Sequence, residues 1–233
     1  MEEQDLDQHF MIDNRLLDRI VKYANLKSDD VVLEIGPGRG TLTKLLIKKS
    51  HVIAVELDFE LFKKLIEIKT DNLILRYGNA LNLMKNIYFN KLVANIPYSI
   101  SEPLFKKIMI TQPELVVITT GINFVDFVKN SKVLSLIYDY EIKEEVKGSS
   151  FYPPPRTKSV ILCLKIKTDK IALFFQDLLK QHDKKLKNAI LKSFTGIFTK
   201  NEVREKVKDF DSLDKSPINM SVEDIERLEK IIC

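Results

Sequence analysis

The chain has 233 residues, 45% of them hydrophobic, which suits one large domain with a small appendage; a formal net charge of +4 is too mild by itself to mark a nucleic-acid binder. No stretch approaches the roughly 18 consecutive apolar residues of a membrane span, and the acidic start Met1-Glu2-Glu3-Gln4-Asp5-Leu6-Asp7 is unlike a signal peptide, so a soluble cytoplasmic protein is expected. Cys163 and Cys233 lie far apart and show no metal-ligand spacing; they point to a reducing compartment, a buried thiol at Cys163 and no metal site.

Asp13 to Leu26 reads as an amphipathic helix with Leu16, Leu17, Ile20, Val21 and Ala24 on one side. Val31 to Ile35 is an apolar strand interrupted once by Glu34, and it runs into Gly36-Pro37-Gly38-Arg39-Gly40 before a helical pattern from Thr41 to Leu46. Strand, glycine turn and helix in that order open a doubly wound nucleotide-binding unit, because glycines let the backbone turn tightly and approach a ligand. The spacing is G-x-G-x-G, without the third-glycine spacing of dinucleotide sites or the Gly-Lys-Ser/Thr end of a phosphate loop. It favours a ligand without a pyrophosphate, against the alternative of a tight turn holding nothing. His51 to Val55 is the next strand and ends in Glu56-Leu57-Asp58. Glu56 is placed to bond both ribose hydroxyls of an adenosine, as an acid also does in NAD enzymes. Asp58 should start a helix over Phe59 to Ile66. The strand Leu73 to Tyr77 leads into Gly78-Asn79, where Asn79 is either a partner for an adenine edge or a plain turn residue.

Lys91 to Ala94 is a short strand stopped by Asn95-Ile96-Pro97-Tyr98. An exocyclic amine on a nucleobase needs two acceptors and a stacking surface. The Asn95 oxygen, a backbone carbonyl beside Pro97 and the Tyr98 ring can supply them, although an Asn-x-Pro turn with a buried tyrosine fits the string equally well. Leu115 to Ile118 is the next strand, and Tyr138 to Val146 with Lys158 to Ile166 are expected to pair as an antiparallel hairpin at the sheet edge. The fold class is therefore α/β, a mostly parallel sheet with helices on both faces. After Thr168 the pattern is helical only, over Ile171 to Lys180, Lys184 to Phe198, Asn201 to Lys208 and Ser221 to Ile231, the last with Ser221 and Asp224 as a capping start. The expected division is residues 1–168 and residues 169–233. From Lys180 to Lys208 nine basic residues face three acids, a stripe fit to follow an RNA backbone or simply a solvated helix face.

Gln8-His9-Phe10-Met11, Glu34-Ile35-Gly36-Pro37-Gly38-Arg39-Gly40, Val55-Glu56-Leu57-Asp58, Asn95-Ile96-Pro97-Tyr98 and Phe151-Tyr152-Pro153-Pro154-Pro155 occur in that order. The set resembles the ribosomal RNA adenine N6-dimethyltransferases, the small-subunit methyltransferase A or KsgA-like family, across nearly the whole chain. The resemblance implies a Rossmann-like class I methyltransferase sheet with a small C-terminal helical domain, and an S-adenosylmethionine site. His9 and Met11 would close over the methionine part of the cofactor, Gly36 and Gly38 lie beneath it, Glu56 holds the ribose, and Asn79 sits near the adenine. Asn95 would lie between cofactor and target base and touch both, the Ile96-Pro97 backbone would supply the second acceptor, Tyr98 would stack on the flipped adenine, and Phe151 would press on it from the other side or merely pack before the proline turn. Lys184, Lys185 and Lys187 would contact RNA. The family usually has aspartate at the position of Asn79, a basic glycine-bearing stretch before Gln8, and a longer segment where Thr119 to Asn123 stands.

The implied activity is dimethylation of two adjacent adenosines in a hairpin loop near the 3′ end of small-subunit ribosomal RNA, by a monomer working on the small ribosomal subunit. The alternatives are another RNA or DNA adenine methyltransferase, or a subunit-assembly factor with weak or lost activity. The adenine N6 lone pair is delocalised into the ring, so acceptors that favour a more pyramidal nitrogen would help it attack, and orientation of this kind contributes at most on the order of 7–11 kcal/mol. No general base is needed, because the amine becomes far more acidic once alkylated.

Overall fold

The computed structural model of the chain describes residues 9–233. The acidic first residues and Gln8 lie outside the described residues. Among the described residues there are nine strands: β1 (Phe10–Met11), β2 (Val31–Ile35), β3 (His51–Glu56), β4 (Leu73–Tyr77), β5 (Lys91–Asn95), β6 (Leu115–Gly121), β7 (Tyr138–Val146), β8 (Phe151–Tyr152) and β9 (Ser159–Ile166). The helices are α1 (Asn14–Tyr23), α2 (Thr43–Leu46), α3 (Phe59–Leu65), α4 (Ala80–Leu83), α5 (Ser101–Thr111), α6 (Asn123–Asn130), α7 (Lys132–Ile137), α8 (Lys170–Lys180), α9 (Leu186–Ser193), α10 (Lys200–Val207) and α11 (Val222–Ile232). Among the described residues no helix is long and apolar enough to cross a membrane.

Seven strands form one sheet in the order β4-β3-β2-β5-β6-β9-β7. β2 to β6 run parallel, with Val32 opposite Val52 on one side and Lys91 on the other, and β9 lies antiparallel to β6, pairing Val117 with Cys163. The order reverses between β2 and β5, which places the ligand crevice of a doubly wound sheet outside their carboxyl ends. β7 and β9 are neighbours at the edge, as the sequence predicts. The chain between them adds an unforeseen element. β8 leaves the large sheet and pairs with β1, Phe10 opposite Tyr152 and Met11 opposite Phe151.

Local chemistry fixes several boundaries. Asp13 caps α1 by accepting from the Arg15 and Leu16 N–H groups, and buries Leu16, Leu17 and Ile20 on its inner face. The helix stops at Tyr23, three residues before the predicted Leu26, because Asn25 turns to a φ of +43°. The Lys91 ammonium closes this end by donating to the Ala24 and Asn25 carbonyls at 3.2 and 2.6 Å. It also pairs with buried Asp30 at 2.8 Å, and Asp30 further accepts from the Lys27 N–H and the Asn90 amide. Burial pushes the Asp30 carboxyl up, but these donors outweigh it and hold it below the usual carboxylate range.

Lys91→Ala would leave that charge buried without its partner, so a loss of about 3–5 kcal/mol at neutral pH is expected in denaturant unfolding, most of it recovered when Asp30→Asn is added. The lowered pKa means this stability is present above the unfolded-state value and lost as pH falls through the folded one. An acid-independent loss, or one that Asp30→Asn does not relieve, would show that the pair does not carry the effect.

The chain divides into two compact units. The first comprises the described residues up to Lys107 with Pro113–Phe127 and Tyr140–Lys165, and the second Ile108–Gln112, Val128–Asp139 and Ile166–Cys233. The second unit therefore takes in more than the residues after 168. α7 supplies Val133, Leu134 and Ile137, all buried, and packs with α8. Within it α9 ends at Ser193, short of the predicted Phe198, with Gly196 beyond at a φ of +85°. Ser221 caps α11 through the Asp224 N–H as expected, but the Asp224 carboxylate turns instead to the Asp211 and Ser212 N–H groups. The reciprocal capping box is at Thr199 and Glu202, at the start of α10.

Candidate active site

The carboxyl ends of β2, β3 and β5 and the turn after β4 open on one cavity of about 730 Å³. The glycine turn after β2 adopts the left-handed backbone, with φ of +63° at Gly36 and +73° at Gly40. A Cβ on Gly36 would meet nothing within 4 Å, so that backbone faces open space in the cavity, whereas one on Gly40 would stand 2.8 Å from Leu65. Glu56, at the end of β3, is buried and grips this turn. Its Oε2 accepts from the Gly38 N–H at 2.9 Å, and its Oε1 accepts from the Leu57 and Asp58 N–H groups at 2.8 and 2.9 Å. A carboxylate offers about four acceptor sites, so capacity remains. Asn79 follows β4, lines the cavity and caps α4, its Oδ1 accepting from the Leu81 N–H.

Asn95 ends β5, and its Nδ2 donates to the His9 carbonyl at 2.9 Å. A backbone carbonyl can only accept, so the amide has one possible orientation; Asn95 lines the cavity, and its Oδ1 accepts no hydrogen bond among the described residues. Among the described residues nothing donates to the Ile96 carbonyl either. Pro97 then starts a tight turn over Tyr98–Ile100, with the Ile100 N–H on the Pro97 carbonyl. The half-buried Tyr98 ring packs where a Cβ on Gly121 would be 3.4 Å away, and its hydroxyl makes a short hydrogen bond with Ser159. Tyr98 also lines a second cavity of about 940 Å³, which shares His9 and Ser99 with the first.

The ribbon of β1 and β8 brings His9 and Met11 to the first cavity, and the His9 Nδ1 is bonded to the Pro153 carbonyl at 2.8 Å. The structure thus gathers His9, Met11, Gly36, Gly38, Glu56, Asn79, Asn95, Pro97 and Tyr98 around one space. Phe151 is not among them, which corrects the expectation of a base-facing ring. It is 2% exposed, lies in the apolar core with Leu16, Leu17 and Ile161, and lines neither cavity. Its place in the β1–β8 pair turns the ring inward as packing.

Glu34, the one acid in the apolar run of β2, also belongs to this site. It is the penultimate residue of β2, 1% exposed, lines the cavity, and its Oε2 has no hydrogen-bond partner among the described residues. Burial pushes its carboxyl up to about 8, with the Thr43 hydroxyl acting against the rise and the Glu56 charge adding to it. An acid inside an otherwise apolar central strand was the available signal. In the second unit, Lys185 and Lys187 both donate to Asp214 at 3.0 Å, while the Lys184 ammonium reaches the Gln181 side chain. The two lysines hold the Asp214 carboxyl below its ordinary range.

A doubly wound sheet that carries a glycine turn after β2, an acid at the end of β3 and an Asn-Ile-Pro-Tyr turn after β5, all on one cavity, defines a class I methyltransferase. Within that class, the chain belongs to the ribosomal RNA adenine dimethylase family, whose model matches residues 2–230. A "probable ribosomal RNA small subunit methyltransferase A" of Methanopyrus kandleri is 31% identical over 253 aligned positions, covering 97% of this chain and 91% of the relative. The protein so named from Methanococcoides burtonii is 37% identical over 207 positions, covering 80% and 76%. Among solved structures, a dimethyladenosine transferase from Plasmodium falciparum superposes with a TM-score of 0.62 at 26% identity, covering 94% of this chain and 96% of that one. The 23S rRNA methyltransferase ErmE gives 0.60 at 20% identity over 96% and 99%, a likeness of fold.

Proposed function

We propose that the protein transfers methyl groups from S-adenosylmethionine to the N6 of two adjacent adenosines in a hairpin loop near the 3′ end of small-subunit ribosomal RNA. One observation carries the reading: the Asn95 amide, fixed with its oxygen free, lines the same cavity as the glycine turn and Glu56. The cavity also suits the cofactor. Its volume is within the roughly 300–1,000 Å³ of small-molecule sites, its Gly36 wall is bare, and its lining includes Glu34, whose ionised form a cationic ligand would favour.

His9 and Met11 would cover the methionine part, Gly36 and Gly38 pass beneath, the spare capacity of Glu56 takes the ribose, and the Asn79 amide meets the adenine edge. The bound cofactor supplies an electrophilic methyl on a sulfonium. The protein's part is to hold the nucleophile. Asn95 Oδ1 and the Ile96 carbonyl accept the two N6 hydrogens, which favours a lone pair directed along the line of attack and stabilises the charge that develops on nitrogen. Tyr98 stacks on the flipped base, and Pro97 sets the turn that aims both groups. The alkylated nitrogen then loses its proton to solvent. Residues 169–233 form the module that meets the ribosomal RNA, through Lys184, Lys185 and Lys187, and the protein acts as a cytoplasmic monomer on the small subunit. Lys185 and Lys187 would exchange Asp214 for phosphate there, so this contact should weaken steeply with salt.

The test is labelled methyl transfer from S-adenosylmethionine to small subunits that lack these methyl groups, followed by mass analysis of the released adenosines. N6,N6-dimethyladenosine is the expected product. Tight subunit binding without incorporation would overturn the reading in favour of an assembly factor, and methyl groups elsewhere in the RNA would replace its substrate.

A further inference from the structure

We propose that the second cavity is a subsite for the nucleotide next to the target adenosine in the RNA chain, its base stacked on Phe127 and its phosphate held by Arg156. This rests on the methyltransferase reading of the adjoining site. The cavity is about 940 Å³, toward the upper end of small-molecule sites and more than one base requires. It shares the Tyr98 wall with the first cavity, so a strand whose target base stacks on Tyr98 continues into it.

The wall from α6 is aromatic and rigid. Phe127 stacks on Phe124 with ring centroids 5.6 Å apart and an interplanar angle of 21°, and Phe124 is braced edge-on by fully buried Phe105 at 4.5 Å. Phe127 is 36% exposed. A ring held in this way presents a face at little entropic cost, and base stacking on such a face tolerates any sequence. Arg156, on the proline-rich turn that also lines the cavity, is exposed and makes no hydrogen bond or ion pair among the described residues. A free guanidinium is suited to a phosphate, which it can grip with two parallel N–H groups. The acid in the lining, Glu102, is already engaged by Lys106 at 3.2 Å, so it opposes a phosphate weakly. An aromatic face and an unpaired guanidinium around one space, continuous with a base site, match a single-stranded nucleotide.

The experiment measures steady-state methyl transfer to an oligoribonucleotide hairpin carrying the target adenosine, with either a natural or an abasic neighbour. Phe127→Ala should raise KM for the natural RNA about tenfold, the scale of one lost base stack, with kcat and the cofactor dissociation constant unchanged. Phe127→Trp should restore KM, and Phe127→Leu, which keeps apolar bulk without a ring, should not. The abasic neighbour should produce the same loss in the wild type and no further loss in Phe127→Ala. Arg156→Ala should lower the slope of log affinity against log salt by about 1. A wild-type KM in both Phe127→Ala and Phe127→Leu, losses that multiply with the abasic RNA, or an unchanged salt slope in Arg156→Ala would overturn the subsite while leaving the methyltransferase reading intact. A wild type that modifies neither hairpins nor subunits would sink both.

Discussion

Asn95→Ala is expected to cut kcat for methyl transfer by about 10²–10³-fold while the cofactor dissociation constant moves less than about threefold, the pattern for a group that acts mainly on developing charge. The amide has two ends with separate duties. Nδ2 is committed to the His9 carbonyl at 2.9 Å, and Oδ1 is the atom proposed to accept from the substrate amine. Asn95→Asp separates these duties, because it keeps an acceptor of the same shape but sets a second oxygen against the His9 carbonyl. That oxygen would be repelled, the side chain would rotate, and activity should fall nearly as far as in the alanine variant. Single-turnover kinetics with the RNA hairpin, alongside calorimetric cofactor binding, would check both. An aspartate variant close to wild type would mean that the tether to His9 does not aim the acceptor, and an active alanine variant would remove Asn95 from the reaction.

Glu34→Gln should stabilise the protein, and more so as the pH rises. The folded-state carboxyl is pushed up to about 8 from an ordinary 4.5, because it is buried beside the Glu56 charge with one oxygen unsatisfied. Between those values the unfolded chain has released its proton while the folded protein keeps it. Fewer protons are then bound in the unfolded state, and stability declines with pH across that window. At about 1.4 kcal/mol per unit the cost approaches on the order of 5 kcal/mol above pH 8 and vanishes near pH 4. The amide cannot ionise, so thermal melts should show little difference at pH 4.5 and a gain of roughly 10 °C at pH 8.5. A gain that is constant across pH would show that Glu34 does not titrate in this window. A cationic cofactor should favour the ionised acid, so Glu34→Gln should also weaken its binding most at alkaline pH.

The parts of the fold that repeat a local pattern were legible in the chain. Val31 to Ile35, His51 to Val55 and Lys91 to Ala94 are short apolar runs, each followed by a residue type that cannot continue a buried strand without a partner. Reading where each run stops placed Gly36, Glu56 and Asn95 at the strand ends that share the first cavity. What escaped were consequences of distant pairing. Nothing near Phe151 says that Met11 lies opposite it across 140 positions of chain, and that pairing turns the ring into the core rather than toward a base. Helix ends were missed where a single backbone angle decides, as at Asn25. The capping box at Thr199 and Glu202 was readable as T-x-x-E, yet Phe198 just before it looked like the continuation of an apolar helical face.

The bond from Asn95 to His9 goes to main chain and not to an imidazole. The imidazole of the same residue acts separately, on the Pro153 carbonyl, so His9 ties the amide to the β1–β8 ribbon through its main chain and the ribbon to the proline turn through its ring. The orientation of the Asn95 amide is thus set by the residue that leads into a two-residue strand, and the remote tyrosine-proline turn, which holds that residue through the Pro153 carbonyl, would govern the proposed acceptor without approaching the methyl group.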